Sequence, residues 1–369
     1  MSSKNFIKFF IYITFCIFVL HFVFSILVDP YNIWHNYKIK NFNHDKPKAF
    51  FQAYLNKDFN INYLKPDTVF IGSSTVLLGF NPENLQTNQN NQIYNSGVDS
   101  GSPKIAYYIL KNHLEKPNNV SRVLLGLDFY FFNNDLEDKK HFKTNIEIYK
   151  NKIVLLYSRS HLYDSLYTIY HNLNNSENLL VINNYGYLDS KGVEEMSLSR
   201  FKNTENIFRN SINDYIKNSK IFFKNNYKFE LSDKNINYVK KIIDLCDSNS
   251  IQLDIFFVPV HALLLDTLIT MGLEKEMLNW KKSILDMHHV HDFLNFSELN
   301  SEPISNNMTS FLDVEHFHSQ LGEKIFESME NYIPNSSVNT KIEFNYLNRE
   351  KWKKNDIIGH NILNQIKLK

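Results

Sequence analysis

Thr68-Val69-Phe70-Ile71-Gly72-Ser73-Ser74 is the stretch on which the fold turns. Its first four residues are apolar or β-branched without alternation, as in a short strand buried on both faces of a parallel sheet. The Gly-Ser-Ser that follows reads as a turn at the strand's carboxyl end. Further on, Ile93-Tyr94 leads into Asn95-Ser96-Gly97-Val98-Asp99-Ser100-Gly101-Ser102-Pro103. This is a glycine-rich turn, and Pro103 suits the first turn of a helix running to about residue 115. Arg122-Val123-Leu124-Leu125-Gly126-Leu127-Asp128 repeats the buried-strand pattern. Later the spacing predicts an amphipathic helix over 235–248, a strand over 253–259, a helical stretch over 261–286, a short strand over 290–293 and a closing helix over 321–332. Strands alternating with helices predict an α/β fold with a mainly parallel sheet.

Between these halves, residues 135–233 change character. Tyr, Asn, Lys and Ser dominate, with helical stripes such as Ile153/Leu156/Tyr157 and Leu162/Leu166/Ile169. The expectation is a mainly helical insertion whose aromatic residues form its core, a sugar-stacking surface being the alternative. The α/β domain is then expected over 66–334 and a loosely attached basic, polar tail over 335–369.

The amino-terminal end reads differently again. Residues 9–28 carry no formal charge and are mostly Phe, Ile, Val and Leu. Twenty helical residues rise about 30 Å, the thickness of a bilayer core. Residues 1–30 are therefore expected to be an uncleaved membrane anchor in contact with lipid over 9–28. Lys4 and Lys8 precede the run, whereas Asp29 and Pro30 close it, which favours an inside amino terminus and an outside body. A cleaved signal peptide is the rival, but the run exceeds the usual apolar region of one and no small-x-small site precedes Asp29. Residues 31–65 read as a neck.

Composition narrows the function. Lys and Arg number 40 against 39 Asp and Glu, so no global field favours nucleic acid. The two cysteines, Cys16 and Cys246, lie one in the anchor and one in the body, and no Cys/His metal spacing exists.

Chemistry is expected at the carboxyl ends of the strands, where ligands gather in open α/β sheets. Ser74, the 95–101 loop and Asp128 all follow strands. A serine hydroxyl needs a base to become a nucleophile. His316, in Phe311-Leu312-Asp313-Val314-Glu315-His316-Phe317-His318, could be that base, with Asp313 orienting its ring. The backbone N–H of Ser74 and one N–H of the glycine turn, Gly101 ahead of Gly97, would serve the oxyanion. The Asp-x-x-His spacing also occurs at Asp138/His141 and Asp286/His289, with Glu315/His318 as an acidic variant. Asp313/His316 is preferred because a glycine and an amphipathic helix follow it.

In order and placement these blocks resemble the SGNH (GDSL-like) hydrolase superfamily. More narrowly they resemble its membrane-anchored, extracytoplasmic branch associated with polysaccharide and cell-envelope O-acylation. Gly72-Ser73-Ser74 matches the block of the nucleophile, with Ser73 where Asp is usual. The 95–101 loop matches the block of the backbone oxyanion donor, one residue longer than usual. Asp313 and His316 match the last block. The resemblance spans about residues 68–332, interrupted by the insertion, and implies a three-layer sandwich. One block departs: where the family presents an oxyanion-binding Asn, this chain has Asp128, which when ionised only accepts hydrogen bonds. Asp128 would have to be protonated by burial, point elsewhere or orient a substrate hydroxyl, with Asn95 and Asn133 as substitute donors. Asn95, Asp128, His261 and His318 are candidate substrate contacts.

What the resemblance implies is an O-acyl esterase or transferase, with acetyl as the expected group, held at a bacterial cytoplasmic membrane and acting on an extracytoplasmic carbohydrate. A membrane acyltransferase is an implied partner; no cofactor or metal is expected. The alternative is a non-catalytic carbohydrate-binding or assembly subunit with the same fold. A metal-dependent phosphoesterase would need ligands clustered at strand ends, begun only by Asp128 and the Asp313/His316/His318 group.

Overall fold

The computed structural model describes residues 3–85, 92–115, 117–134, 152–174, 180–217, 229–331 and 342–367. In chain order its elements begin with α1 (Ser3–Val28), α2 (Ala53–Leu64), β1 (Thr68–Ile71), α3 (Ser74–Gly79), α4 (Pro82–Leu85), β2 (Ile93–Asn95), α5 (Pro103–Leu114) and β3 (Arg122–Leu127). A 3-10 turn at Phe129–Phe132 precedes α6 (Lys152–Leu156), α7 (Arg159–Leu173), α8 (Ser190–Phe201), α9 (Thr204–Lys217) and α10 (Asp233–Ser248). Then come β4 (Gln252–Phe257), α11 (Ala262–Thr270), α12 (Glu274–Leu285), β5 (Val290–Asp292), α13 (Ser319–Glu330), α14 (Tyr346–Asn355) and α15 (Ile357–Lys367).

The chain divides into two units. One comprises residues 1–59 and 140–182, the other 60–139 and 183–369. The stretch expected as one insertion over 135–233 is therefore split between them. Its residues 135–151, 175–179 and 218–228 lie outside the described residues, as does the Asp138/His141 pair.

The second unit is a mixed α/β structure around a five-stranded sheet of order β2-β1-β3-β4-β5, parallel throughout. Every residue of β1 is buried, and so are five of the six in β3, which explains their unbroken apolar runs. Phe70 pairs with Leu124 and Leu125 with Ile255 in register across the three central strands. From β1 the chain steps outward to β2, and from β3 it steps the other way to β4. The gap between the carboxyl ends of β1 and β3 is thus the switch point of the sheet, where a ligand can enter.

Helix α5 packs on α10, and α13 packs on α3. Ser102 caps α5, its hydroxyl accepting from Ile105 N–H, with Pro103 in the first turn as its sequence suggested. The region after residue 335 is not a loose tail where it is described. Trp352 and Leu363 are buried in the main apolar core, and Asp356 accepts hydrogen bonds from Ile304 N–H and the Trp352 indole. Trp352 and the apolar face of the last helix, Ile358, Ile362 and Leu363, dock it. Residues 335–341 lie outside the described residues.

In the first unit, α1 is a 26-residue helix long and apolar enough to cross a membrane. A small apolar cluster of Tyr31, Ile33, Leu55, Phe59 and Leu155 lies beyond its end. Lys46 donates to the Val28 carbonyl at 2.6 Å, so the helix end is closed by a buried lysine. Of the stripe Leu162/Leu166/Ile169 on α7, the first two are exposed and Ile169 is half-buried, and Tyr163, Tyr167 and Tyr170, aromatic residues of the kind expected to form the insertion's core, are exposed too. Leu156 is buried and Tyr157 exposed; the side chain of Ile153 lies outside the described residues.

Candidate functional site

Ser74 is the first residue of α3, directly after the turn that ends β1. The first N–H groups of a helix have no intrahelical acceptor, so its N–H is available to a ligand. Ser73 caps this helix, its side chain accepting from Thr75 N–H at 3.2 Å. The two serines therefore divide the labour: Ser73 is buried and structural, whereas Ser74 is only half-buried.

Loop 311–318 delivers the histidine. Phe311 and Phe317 form an antiparallel bridge, and Leu312 N–H donates to the His316 carbonyl at 2.9 Å, closing a tight loop. Asp313 holds that loop from inside: its Oδ1 accepts from the N–H of Glu315 at 2.7 Å and of His316 at 2.8 Å. Its other oxygen lies 2.9 Å from His316 Nδ1. On the far side of the ring, Nε2 lies 2.9 Å from Ser74 Oγ. When the ring is neutral, donation of Nδ1–H to the carboxylate leaves Nε2 to accept the serine proton. Asp313 is thus both the loop's acceptor and the ring's orienter.

Two packing contacts hold these loops together. Phe317 meets Phe80, just past α3, edge to face at 5.7 Å. Gly322 on α13 lies against the carbonyl of Gly79 at the end of α3. The glycine that recommended Asp313/His316 in the sequence is therefore the residue that lets the two helices touch.

The charge environment is unusual. Burial lowers the basicity of His316, but Asp313, Glu315 and Asp128 outweigh it and raise its pKa to about 10. Burial would raise the Asp313 carboxyl, yet His316 and the two loop N–H groups hold it below the ordinary value. Asp128 is pushed up to about 7 by burial, with Glu315 adding to the effect. The Asp128 carboxylate accepts from the Thr75 hydroxyl at 2.9 Å, and Ser73 Oγ lies 2.9 Å from that same hydroxyl. Asp128 therefore secures the serine turn. Glu315 is also raised, chiefly by burial, and hydrogen-bonds Tyr215.

A cavity of about 30 Å³ adjoins these groups. Asp128, Glu315, Tyr130 and Tyr215 form its polar end, and Leu264 and Leu268 its apolar wall. Neither Ser74 nor His316 belongs to its lining.

The other sequence candidates are placed differently. Gly97 N–H donates to Asn95 Oδ1 at 2.8 Å, and Gly101 N–H to the Val98 carbonyl at 3.0 Å. Both expected loop donors are thus engaged within the loop itself. What Gly101 supplies is proximity, because a Cβ there would fall 2.4 Å from the Gly72 carbonyl oxygen. Asn95 is buried and its amide caps the end of α3 through the carbonyls of Val76 and Phe80, at 2.8 and 2.7 Å. Asn133 is buried and bridges to Leu231. His261 is fully buried at the start of α11, accepting from Leu263 N–H and bonded to the Glu302 carbonyl. His318 is buried against Ser190, 3.2 Å from its hydroxyl. Polar residues near strand ends were good candidates, but Asn95, His261 and His318 spend side-chain polar atoms on backbone or neighbouring side chains. Sequence reasoning did not single out Thr75, Tyr130 or Tyr215, and considered Glu315 only as the acid of a Glu315/His318 pair. Thr75 and Glu315 adjoin residues it did choose, whereas Tyr215 lies in a helix with no local signal of its role.

Comparison with protein families, curated proteins and solved structures gives no match for this chain.

Proposed function

We propose that this chain is a membrane-anchored SGNH-like O-acyl esterase or transferase, with Ser74 as nucleophile, His316 as base and Asp313 as its orienter. The observation that carries the reading is the continuous Asp313–His316–Ser74 hydrogen-bonded line at the switch point of a parallel sheet. Helix pairs α5/α10 and α3/α13 are what a sheet covered on both faces would give, which supports the three-layer form of that superfamily.

In this mechanism Ser74 Oγ attacks the acyl carbonyl as its proton passes to His316 Nε2. Collapse of the tetrahedral intermediate expels the alcohol, protonated by His316, and leaves the acyl-enzyme. Water or a sugar hydroxyl, deprotonated by His316, then takes the acyl group. A short acyl group such as acetyl follows from the resemblance. The carbohydrate acceptor, a membrane acyltransferase partner and an extracytoplasmic site at a bacterial membrane follow from the resemblance and from α1.

A second reading is a non-catalytic carbohydrate-binding or assembly subunit. It is favoured by Asp128 in place of a donor and by the engaged N–H groups of Gly97 and Gly101. A fluorophosphonate probe applied to the detergent-solubilised full chain separates the two. Labelling that disappears in Ser74→Ala is expected of the enzyme. A folded wild type that neither labels nor releases acetate from an activated acetyl ester would leave the binding reading.

A further inference from the structure

Helix α7 is built inside out. Its buried residues are His161, Asp164, Ser165, Thr168, His171 and Asn172, all polar. Its outward face carries Leu162, Tyr163, Leu166, Tyr167, Tyr170 and Leu173. Leu166 is 55% exposed and Tyr170 65%, whereas Ser165 and Thr168 are fully buried. Single exposed apolar residues are ordinary, but a contiguous stripe of them opposite a buried polar face reverses the arrangement that water imposes.

Part of the polar face is paired within its own unit, while His161 Nε2 and His171 Nε2 are buried without a hydrogen-bond partner among the described residues. Asp164 accepts from the Tyr31 hydroxyl at 2.7 Å and lies 3.5 Å from the Lys48 ammonium, and Asn172 bonds the backbone of Asp45. Those partners fix which side faces in, so the apolar side has only the surroundings to meet.

What those surroundings are is set by α1. His21 and Ser25 of α1 both reach the Leu156 carbonyl, at 2.9 and 3.3 Å. The Tyr157 ring stacks on His21 at 5.3 Å, and its hydroxyl donates to the Phe18 carbonyl. Phe18, His21 and Ser25 belong to the carboxyl half of α1, so the α6–α7 turn sits at the depth of one leaflet if α1 crosses the bilayer. With 15 residues, α7 is about 22 Å long, too short to cross on its own. Tyr and Leu on one face suit the boundary between headgroups and acyl chains. Lys48 lies over the Tyr167 ring at 4.4 Å, its stem along the aromatic edge and its charge paired to Asp164.

We propose that the outward face of α7 is a lipid-contact surface, lying in the leaflet reached by the carboxyl half of α1. The membrane part of the chain is then a transmembrane helix with an interfacial helix packed against its exit, and not a lone anchor. This rests on the reading of α1 as a membrane span.

The test uses the full chain in phosphatidylcholine vesicles, with Cys16→Ala and Cys246→Ala removing the native thiols. A nitrobenzoxadiazole label is placed at Leu166→Cys or Tyr170→Cys, at Ile17→Cys within α1, and at Lys240→Cys on exposed α10. Lipids with a doxyl group high on the acyl chain are expected to quench residues 166 and 170, and iodide to quench 240 alone. Quenching at 17 together with water-like behaviour at 166 and 170 overturns the proposal and points to a protein partner for that face. Water-like behaviour at 17 as well overturns the membrane span itself. A second measurement needs no substitution: photoactivatable phosphatidylcholine should attach to peptides covering 159–173, and attachment confined to α1 overturns the proposal.

Discussion

A Cβ placed on Gly322 would fall 1.8 Å from the carbonyl oxygen of Gly79, closer than any non-bonded pair can stand. Gly79 ends the helix that Ser74 begins, and Gly322 lies in the first turn of the helix that follows His318. The approach of these two backbones therefore sets the distance between hydroxyl and imidazole. Gly322→Ala should force the helices apart, costing about 1–3 kcal/mol as overpacking in a close-packed interior does. Chemical denaturation should show that loss, and fluorophosphonate labelling of Ser74 should slow in the fraction that remains folded.

The pH dependence follows from His316. Its pKa is raised to about 10, so at neutral pH the ring is mostly imidazolium and cannot take the serine proton. The rate of Ser74 acylation should climb through the alkaline range instead of levelling near 7. Stability should move oppositely. A base with a raised folded pKa gives its full stabilisation below about 6.5 and loses it as pH rises through about 10. Asp313→Asn, which removes the leading stabiliser of the cation, should bring the rate midpoint down. It should also cut the rate by about 10³ or more, through loss of ring orientation.

Asp128→Asn is expected to raise activity. The carboxyl is about half ionised near pH 7, and its charge both repels an oxyanion and holds His316 protonated. An amide keeps an acceptor for Thr75 and adds a donor, and one oxyanion donor is worth about 10²-fold in known acyl-transfer sites. A gain in acetyl-ester turnover, with the rate midpoint at lower pH, is the outcome to look for. Equal or lower turnover would place Asp128 in the serine turn alone.

Trp352→Ala measures how firmly the final segment is docked. The indole is buried in the main core and donates to Asp356. Its loss should cost about 3–5 kcal/mol, as large-to-small changes of buried aromatics do. A detached tail would show no change in unfolding.

The strands were legible because burial on both faces leaves an unbroken apolar run, as at Val69-Phe70-Ile71 and Leu124-Leu125. Ser74, Asp313 and His316 were legible because each sits at a predictable place along such a chain, just past a strand or just before a closing helix. Asn95, His261 and His318 were misplaced for a physical reason: position along a strand end does not tell whether a polar side chain faces the cleft or caps a neighbour. The link from Thr75 to Asp128 spans 53 residues and that from Glu315 to Tyr215 crosses from one loop to a distant helix, so no local pattern could reveal either. The stripe on α7 was visible as a stripe, but periodicity reports which residues share a face and not what that face touches. The docking of Trp352 was hidden because a single apolar residue among lysines carries no periodic signal, whereas Ile358, Ile362 and Leu363 do share one helical face and meet the core.

The two reactive partners are 242 positions apart, and the strands β1 and β3 that frame the cleft are complete long before residue 316 is made. A chain emerging from the ribosome would hold its nucleophile early and its base only at the end. Premature termination before Asp313 would leave all five strands and Ser74 in place but remove the Asp313/His316 pair. On the proposed reading, labelling of Ser74 would therefore report completed synthesis.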